Sequence, residues 1–149
     1  MNRPIMKELD LSPHTGNLEA VATLLDDLEM AKVKTKYAKT GWDAISLHGY
    51  GPNPEDILKP GVLKSSVDID TKLQWTTLKD NEVMKPVLEM LDRLPCDFER
   101  VRFMKLEAGK VIGKHTDKID KDLGIDDGQI TRIHMPVRTN DLVTFSIWD

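Results

Sequence analysis

The sequence predicts an α+β domain in which helices come before most of the β-structure. Apolar residues recur every three or four positions in two early segments, and every second position from residue 99 onward. This order is typical of a fold whose helices pack on one face of a sheet. The 149 residues correspond to a single domain. We assign the helical part to about residues 1–98 and the β part to about residues 99–149.

Two amphipathic helices are predicted. The first covers residues 17–34, with Asn17 suited to cap its N-terminus. Its apolar stripe consists of Leu18, Val21, Leu24, Leu25 and Leu28. The second helix covers residues 81–95 and is expected to end at Pro95. Its apolar stripe consists of Val83, Val87, Leu88, Leu91 and Leu94.

Strands are predicted where the apolar period is two. The run at 41–51 places Ala44, Ser46 and His48 on one side of a strand and Ile45 and Leu47 on the other. Four consecutive strands follow at 99–109, 110–117, 129–137 and 142–148. Tight turns are expected at Gly109 and at Asn140-Asp141, and the polar residues 117–129 are expected to form a loop or lid.

The composition excludes several classes of function. The net charge of -4 is spread along the chain, which argues against a nucleic-acid partner. The N-terminus lacks the apolar run of a signal peptide, and no stretch approaches the roughly 20 apolar residues of a membrane span. The single cysteine, Cys96, cannot form an internal disulfide. We therefore expect a cytoplasmic protein without a membrane partner.

His115 and Asp117 are candidate metal ligands. On an extended backbone, residues two positions apart face the same side, so the imidazole and the carboxylate can reach one ion. Two histidines and one carboxylate hold the metal of mononuclear non-haem Fe(II) oxygenases. A distant histidine is needed to complete such a site. The alternative interpretation is an ordinary strand end at the surface.

Arg132 and His134 are candidate ligands for a carboxylate. They lie two residues apart on a run that is otherwise apolar, so we expect them to be half-buried on the same face. The planar guanidinium group of arginine binds carboxylates with two hydrogen bonds, and a neighbouring histidine can donate another. The alternative is a buried arginine paired with an acidic loop residue beside a core histidine.

Taken together, these motifs resemble the aspartyl/asparaginyl β-hydroxylase family, including its bacterial proline cis-hydroxylase members. The shared pattern is R-x-R-x-x-x-L-x-x-G, then H-x-D, then R-[IV]-H-[LIM], then T-N. In this chain it is met by Arg100, Arg102, Leu106, Gly109, His115, Asp117, Arg132, His134, Thr139 and Asn140. Residues 41–51 and 73–95 are also similar to the first half of such proteins, so the resemblance covers most of residues 40–149.

The resemblance implies a double-stranded β-helix, or cupin-like jelly roll, that binds Fe(II) and 2-oxoglutarate. Such enzymes insert one oxygen atom into a C–H bond of an amino acid or peptidyl side chain while 2-oxoglutarate loses CO₂. By residue-for-residue match, His115 and Asp117 would be the metal ligands. Arg132 and His134 would bind a carboxylate of 2-oxoglutarate.

The chain departs from this family after His134. The family carries its distal metal-binding histidine there, and the last fifteen residues of this chain contain no histidine. His14 is better explained as a solvent residue. His48 could line the mouth of a substrate site, but a structural or exposed role explains it better. We therefore expect a C-terminally truncated member whose hydroxylation activity is impaired.

Two further interpretations remain open. The chain could be a non-catalytic half-barrel retained for binding or assembly. Under either interpretation, Val143, Phe145 and Ile147 form an apolar face on the last strand, which predicts a homo-oligomer joined through the C-terminal strands. A histidine donated by a neighbouring subunit is an alternative way to complete the metal site. A zinc hydrolase built on His115 and Asp117 is a weaker alternative, since no second histidine or general-base glutamate lies at a recognisable spacing.

Overall fold

The computed structural model describes residues 10, 16–35, 38–57, 73–115 and 131–146. These residues contain helices α1 (Leu18–Asp27) and α2 (Lys85–Leu91), and strands β1 (Ala31–Thr35), β2 (Ala38–Gly49), β3 (Gln74–Trp75) and β4 (Val101–Lys105). Two short 3₁₀ segments, Thr77–Asp80 and Glu82–Met84, precede α2. The mixture of helices with an antiparallel sheet confirms the α+β class. No helix in this part of the chain is long and apolar enough to cross a membrane.

Strand β2 is the centre of the sheet, and every pairing in it is antiparallel. Ala44 of β2 lies opposite Ala31 of β1 and Met104 of β4. His48 lies opposite Trp75 of β3 and Val101 of β4. Because one residue can pair once on each side, β4 occupies one edge of β2, and β1 and β3 follow one another along the other edge.

Helix α1 begins as predicted but ends earlier. The Asn17 side chain accepts hydrogen bonds from the backbone N–H groups of Glu19 at 2.9 Å and Ala20 at 3.4 Å, which confirms the cap. The predicted stripe is also confirmed, since Val21 and Leu25 are buried and its other members pack against the same core. The helix ends at Asp27 rather than near residue 34.

The predicted end of the first helix was wrong because residues 31–35 form β1 instead. Ala31 and Val33 are half-buried while Lys32 between them is exposed, which is the period of a strand. The register places Val33 opposite Trp42, and Lys32 forms an ion pair of 3.2 Å with Asp43. Pairing with β2 therefore overrides the helical propensity of this short segment.

The second predicted helix is also divided. Glu82–Met84 is a 3₁₀ segment, and α2 runs only from Lys85 to Leu91. Pro86 lies in the first turn of α2, where its missing N–H is not needed. Past Leu91, the bond from Leu94 N to Leu91 O at 2.9 Å tightens the chain into a turn, so the helix ends before Pro95 is reached.

The main core lies between the helices and one face of the sheet, as the α+β prediction requires. Ile45 and Leu47 of β2 belong to it, and Phe103 of β4 lies opposite Ile45. The helical and 3₁₀ segments contribute Val21, Leu25, Leu78, Met84, Val87, Met90 and Leu91. Of the four strands in the described residues, three come from residues 31–75, so helices and sheet interleave along the chain more than the predicted division at residue 98 implies.

A second, smaller apolar cluster lies on the side of β2 opposite Ile45 and Leu47. It contains buried Trp42, Ala44 and Ile57. Ala31, Val33 and Ile112 pack against them. The predicted separation of Ala44 from Ile45 and Leu47 is confirmed, because these side chains enter two different clusters.

The last three predicted strands are not seen where the structure describes them. Residues 110–115, 131–138 and 142–146 carry no strand assignment, although β4 confirms the strand predicted at 99–109 over Val101–Lys105. A period of two favours a strand, but the strand also needs a hydrogen-bonded neighbour. Pro136 lacks the N–H that such a ladder uses.

Both predicted turns are present. Gly109 has φ of 77°, the left-handed region that favours glycine, and Lys110 N donates to Glu107 O at 3.1 Å. The Asn140 side chain accepts a hydrogen bond of 2.9 Å from Leu142 N, a local turn that asparagine forms readily.

Candidate functional site

His115 lies six residues after the Gly109 turn, on a segment that crosses the second apolar cluster through Ile112. Its side chain is exposed, and its Nδ1 lies 2.9 Å from the Gly113 carbonyl oxygen. A carbonyl oxygen can only accept, so in the neutral ring Nδ1 carries the proton and Nε2 carries the lone pair. Metal-binding histidines are commonly oriented by a bond of this kind from the other ring nitrogen.

Asp117 and the predicted lid at 117–129 lie outside the described residues. The predicted convergence of His115 and Asp117 on one ion therefore stays a prediction. Among the residues that the structure does describe, no group of three His, Cys, Asp or Glu side chains could hold a metal ion.

Arg132 and His134 lie on one side of their segment, and Met135 and Val137 lie on the other. Met135 and Val137 are half-buried and pack against the main core. Arg132 and His134 are exposed, so the expectation of half-burial was wrong, whereas their placement on a common side agrees with the sequence pattern. The His134 ring lies 4.9 Å from the Phe145 ring, measured between centroids, at an angle of 48°.

Arg138 forms a group of ion pairs that was not among the predictions from the sequence. Its Nη2 lies 2.5 Å from Glu19 Oε1, its Nε lies 3.3 Å from Glu19 Oε2, and its Nη1 lies 2.6 Å from Asp26 Oδ2. Asp26 also accepts from Lys105 Nζ at 2.5 Å. Hydrogen bonds from Lys105 and Arg138 lower the pKa of Asp26, and the bond to Asp26 raises the pKa of Lys105.

His48 has a structural environment. It is buried, its Nδ1 lies 3.3 Å from the Glu99 carbonyl oxygen, and its ring meets Trp75 edge-on with 4.9 Å between centroids. Burial lowers the pKa of His48, and the bond to Glu99 opposes this. Tyr50 Oη donates to the Glu99 carboxylate at 3.3 Å, and burial together with that carboxylate raises the pKa of Tyr50. These contacts hold β2, β3 and the start of β4 together.

Two further residues of the motif pattern, Arg100 and Arg102, lie just before β4 and within it. Arg102 of β4 is opposite Ser46 of β2, and Arg100 forms an ion pair with Glu99 at 3.4 Å. His14, the other histidine considered for a metal, lies outside the described residues.

A signal for the Arg138 contacts exists in the sequence, since Glu19 and Asp26 are seven residues apart and share one face of α1. Nothing in the local pattern names Arg138 as their partner.

Comparison of the chain with protein-family models, with curated proteins and with solved structures finds no match.

Proposed function

We propose that this protein is an Fe(II)- and 2-oxoglutarate-dependent hydroxylase that acts on an amino acid or a peptidyl side chain. The observation that carries the proposal is the ordered set of motifs, from Arg100 and Arg102 through His115 and Asp117 to Arg132 and His134. Each motif alone is weak evidence, and their occurrence together in this order and at these spacings is far more specific than any one of them.

His115 and Asp117 are the residues that would hold the iron in this proposal. The hydrogen bond from His115 Nδ1 to Gly113 O supports it, because it leaves Nε2 as the basic nitrogen of the neutral ring. Imidazole and carboxylate ligands in this combination suit Fe(II). Bound iron would supply the oxidising power with which O₂ hydroxylates a C–H bond while 2-oxoglutarate loses CO₂.

Arg132 and His134 would bind a carboxylate of 2-oxoglutarate. Their position on one side of a segment, with Met135 and Val137 fixed to the core on the other side, supports a joint role. The guanidinium group would form two parallel hydrogen bonds to the carboxylate, and the His134 ring would donate a third. Their exposed placement means that the bound cosubstrate itself would have to exclude water from these two side chains.

The proposed fold is a jelly roll whose first layer is the four-stranded sheet. The support is that helices cover the face with Ile45 and Leu47, while the segment leading to His115 passes over the opposite face beside Trp42 and Ala44. The metal site would then lie on the face away from the helices, whereas the segment of Arg132 and His134 contacts the helix-covered core through Met135 and Val137.

Binding of 2-oxoglutarate in the presence of Fe(II) tests the proposal. Under anaerobic conditions, titration calorimetry of the wild-type chain is expected to show one 2-oxoglutarate bound per chain only when Fe(II) is present. Arg132→Ala is expected to weaken that binding by about 10- to 100-fold, since it removes a charge-assisted bidentate contact. Unchanged affinity in Arg132→Ala, or no Fe(II)-dependent binding by the wild type, would contradict the proposal.

The control is Arg93→Ala, which removes an arginine from the turn after α2, outside the motif. It is expected to bind 2-oxoglutarate as the wild type does. Mass spectrometry of a panel of free amino acids and short peptides, incubated with Fe(II), 2-oxoglutarate and O₂, would then show which substrate gains one oxygen atom.

A second candidate function, self-assembly, is favoured by the exposed apolar side chains near residue 145. Leu142 is 90% exposed and Phe145 is 67% exposed. Contiguous exposed apolar area favours association. We propose a homo-oligomer joined through this C-terminal segment. Sedimentation velocity is expected to show a dimer that Phe145→Asp weakens by at least about tenfold and that the control Val111→Asp leaves intact. A wild-type monomer at all concentrations would contradict this.

A further inference from the structure

The segment that carries Arg132 and His134 is held to the rest of the molecule by two kinds of contact. Met135 and Val137 pack against the main core. Arg138, which follows directly, reaches helix α1. Within residues 131–138, the structure assigns no strand that a backbone ladder could hold in register. The position of Arg132 and His134 therefore depends on these side-chain contacts.

The two kinds of contact constrain the segment differently. Apolar packing is non-directional, so Met135 and Val137 keep the segment against the core without fixing its rotation or its position along α1. A guanidinium group bound side-on to one carboxylate and end-on to another has a defined plane and a defined direction. Arg138 uses three of its N–H groups in this way on Glu19 and Asp26. It therefore supplies the orientation that the apolar contacts lack.

Asp26 extends the same network to the sheet. It accepts from Lys105 at the end of β4 as well as from Arg138, so one carboxylate joins α1, β4 and the segment at 131–138. The side chains of Arg138 and Asp26 remain 44% and 41% exposed. Isolated ion pairs that are this exposed contribute little to stability, whereas a network of ion pairs with bidentate geometry can order a segment.

We infer that Arg138, held by Glu19 and Asp26, is a positioning residue that orients Arg132 and His134 for binding the carboxylate of 2-oxoglutarate. The inference rests on the proposed function, because it assigns the network a task in cosubstrate binding. His134 lies four residues before Arg138, and Arg132 lies six residues before it, so rotation of the segment at Arg138 displaces both side chains. Arg138 itself need not touch the cosubstrate.

Three variants test this role with two readouts. Arg138→Gln removes the charge, Arg138→Lys keeps the charge but loses the planar fork, and Glu19→Gln with Asp26→Asn removes both carboxylates. The readouts are the Fe(II)-dependent affinity for 2-oxoglutarate and the rate of amide hydrogen exchange in residues 131–146. Lys32→Gln is the matched control, since it breaks another exposed lysine–aspartate pair, on the β1–β2 hairpin.

Arg138→Gln and Arg138→Lys are each expected to weaken 2-oxoglutarate binding by about three- to tenfold, because misplaced binding groups lose affinity without being removed. Amide exchange in residues 131–146 should become faster, and the urea midpoint of the whole chain should change little. Combining Arg138→Gln with the double carboxylate variant should cost no more than either alone, since all three side chains act through one contact. Lys32→Gln should behave as the wild type.

The possible failures can be told apart. A wild-type chain that binds no 2-oxoglutarate overturns the proposed function and, with it, this role for Arg138. If the wild type binds 2-oxoglutarate and Arg138→Gln binds it equally well, the inference alone is overturned, whether or not exchange is faster. Additive losses in the combined variant also overturn it, because they would mean that Arg138 acts independently of Glu19 and Asp26.

Discussion

Replacement of Leu47 by alanine is expected to lower the free energy of unfolding by about 2 to 5 kcal/mol. Leu47 is 0% exposed near the C-terminal end of the middle strand β2, in the main core that α1 and α2 cover. Removing its side-chain methyl groups forfeits their transfer from water and leaves a cavity. Its backbone cannot move easily to fill that space, because Ser46 and His48 on either side are paired with β4 and the Leu47 carbonyl oxygen accepts a hydrogen bond of 2.9 Å from Thr76 N. The upper half of the range is therefore expected.

Urea unfolding followed by tryptophan fluorescence measures this effect. The control is Leu142→Ala, which shortens the same side chain at a position that is 90% exposed and should change the free energy of unfolding by less than about 0.5 kcal/mol. Equal urea midpoints for Leu47→Ala and the wild type would show that β2 does not lie in the core as described.

Replacement of His115 by alanine is expected to weaken Fe(II) binding by more than the roughly 10- to 100-fold that loss of an outer-shell partner costs. The reason is that His115 would donate Nε2 directly to the metal, and its ring is already oriented by the bond to Gly113. Since His115 is exposed, its removal should leave the urea midpoint nearly unchanged. Loss of metal affinity with the fold intact distinguishes a ligand from a structural histidine.

Anaerobic Fe(II) titration of the purified chain measures this prediction. Lys114→Ala, on the neighbouring residue of the same exposed segment, is the control and should retain the wild-type affinity. His48→Ala provides the converse comparison, because the buried His48 contacts Trp75 and Phe98 and its loss should affect stability rather than iron. Equal iron affinity in His115→Ala and the wild type would remove His115 from the proposed site.

Local sequence patterns correctly predicted the features that depend on residues close together in the chain. The cap at Asn17 follows from its own side chain and the nearby N–H groups of Glu19 and Ala20, and the turn at Gly109 follows from a backbone angle that glycine favours. The alternation in β2 correctly separated Ile45 and Leu47 from Ala44, because a strand repeats every two residues. The same alternation placed Arg132 and His134 on a common side.

Local patterns did not predict the features that depend on contacts between residues far apart in the chain. Residues 31–35 could extend a helix or form a strand, and pairing of Val33 with Trp42 decided for the strand. The exposure of Arg132 depends on which side of its segment meets the core, a choice made by Met135 and Val137. The burial of His48 likewise depends on Trp75 and Phe98, which come from elsewhere in the chain.

The sequence by itself determined the α+β class, the start of α1 and the two turns. Only the tertiary structure decided the pairing of β1 with β2, the short length of α2 and the ion pairs of Asp26 with Lys105 and Arg138. Arg138 meets Glu19 across 119 residues and Asp26 across 112 residues, and no local period relates such positions. Charges of opposite sign can pair in many ways along one chain, and the packing of the apolar core selects which of them come within reach.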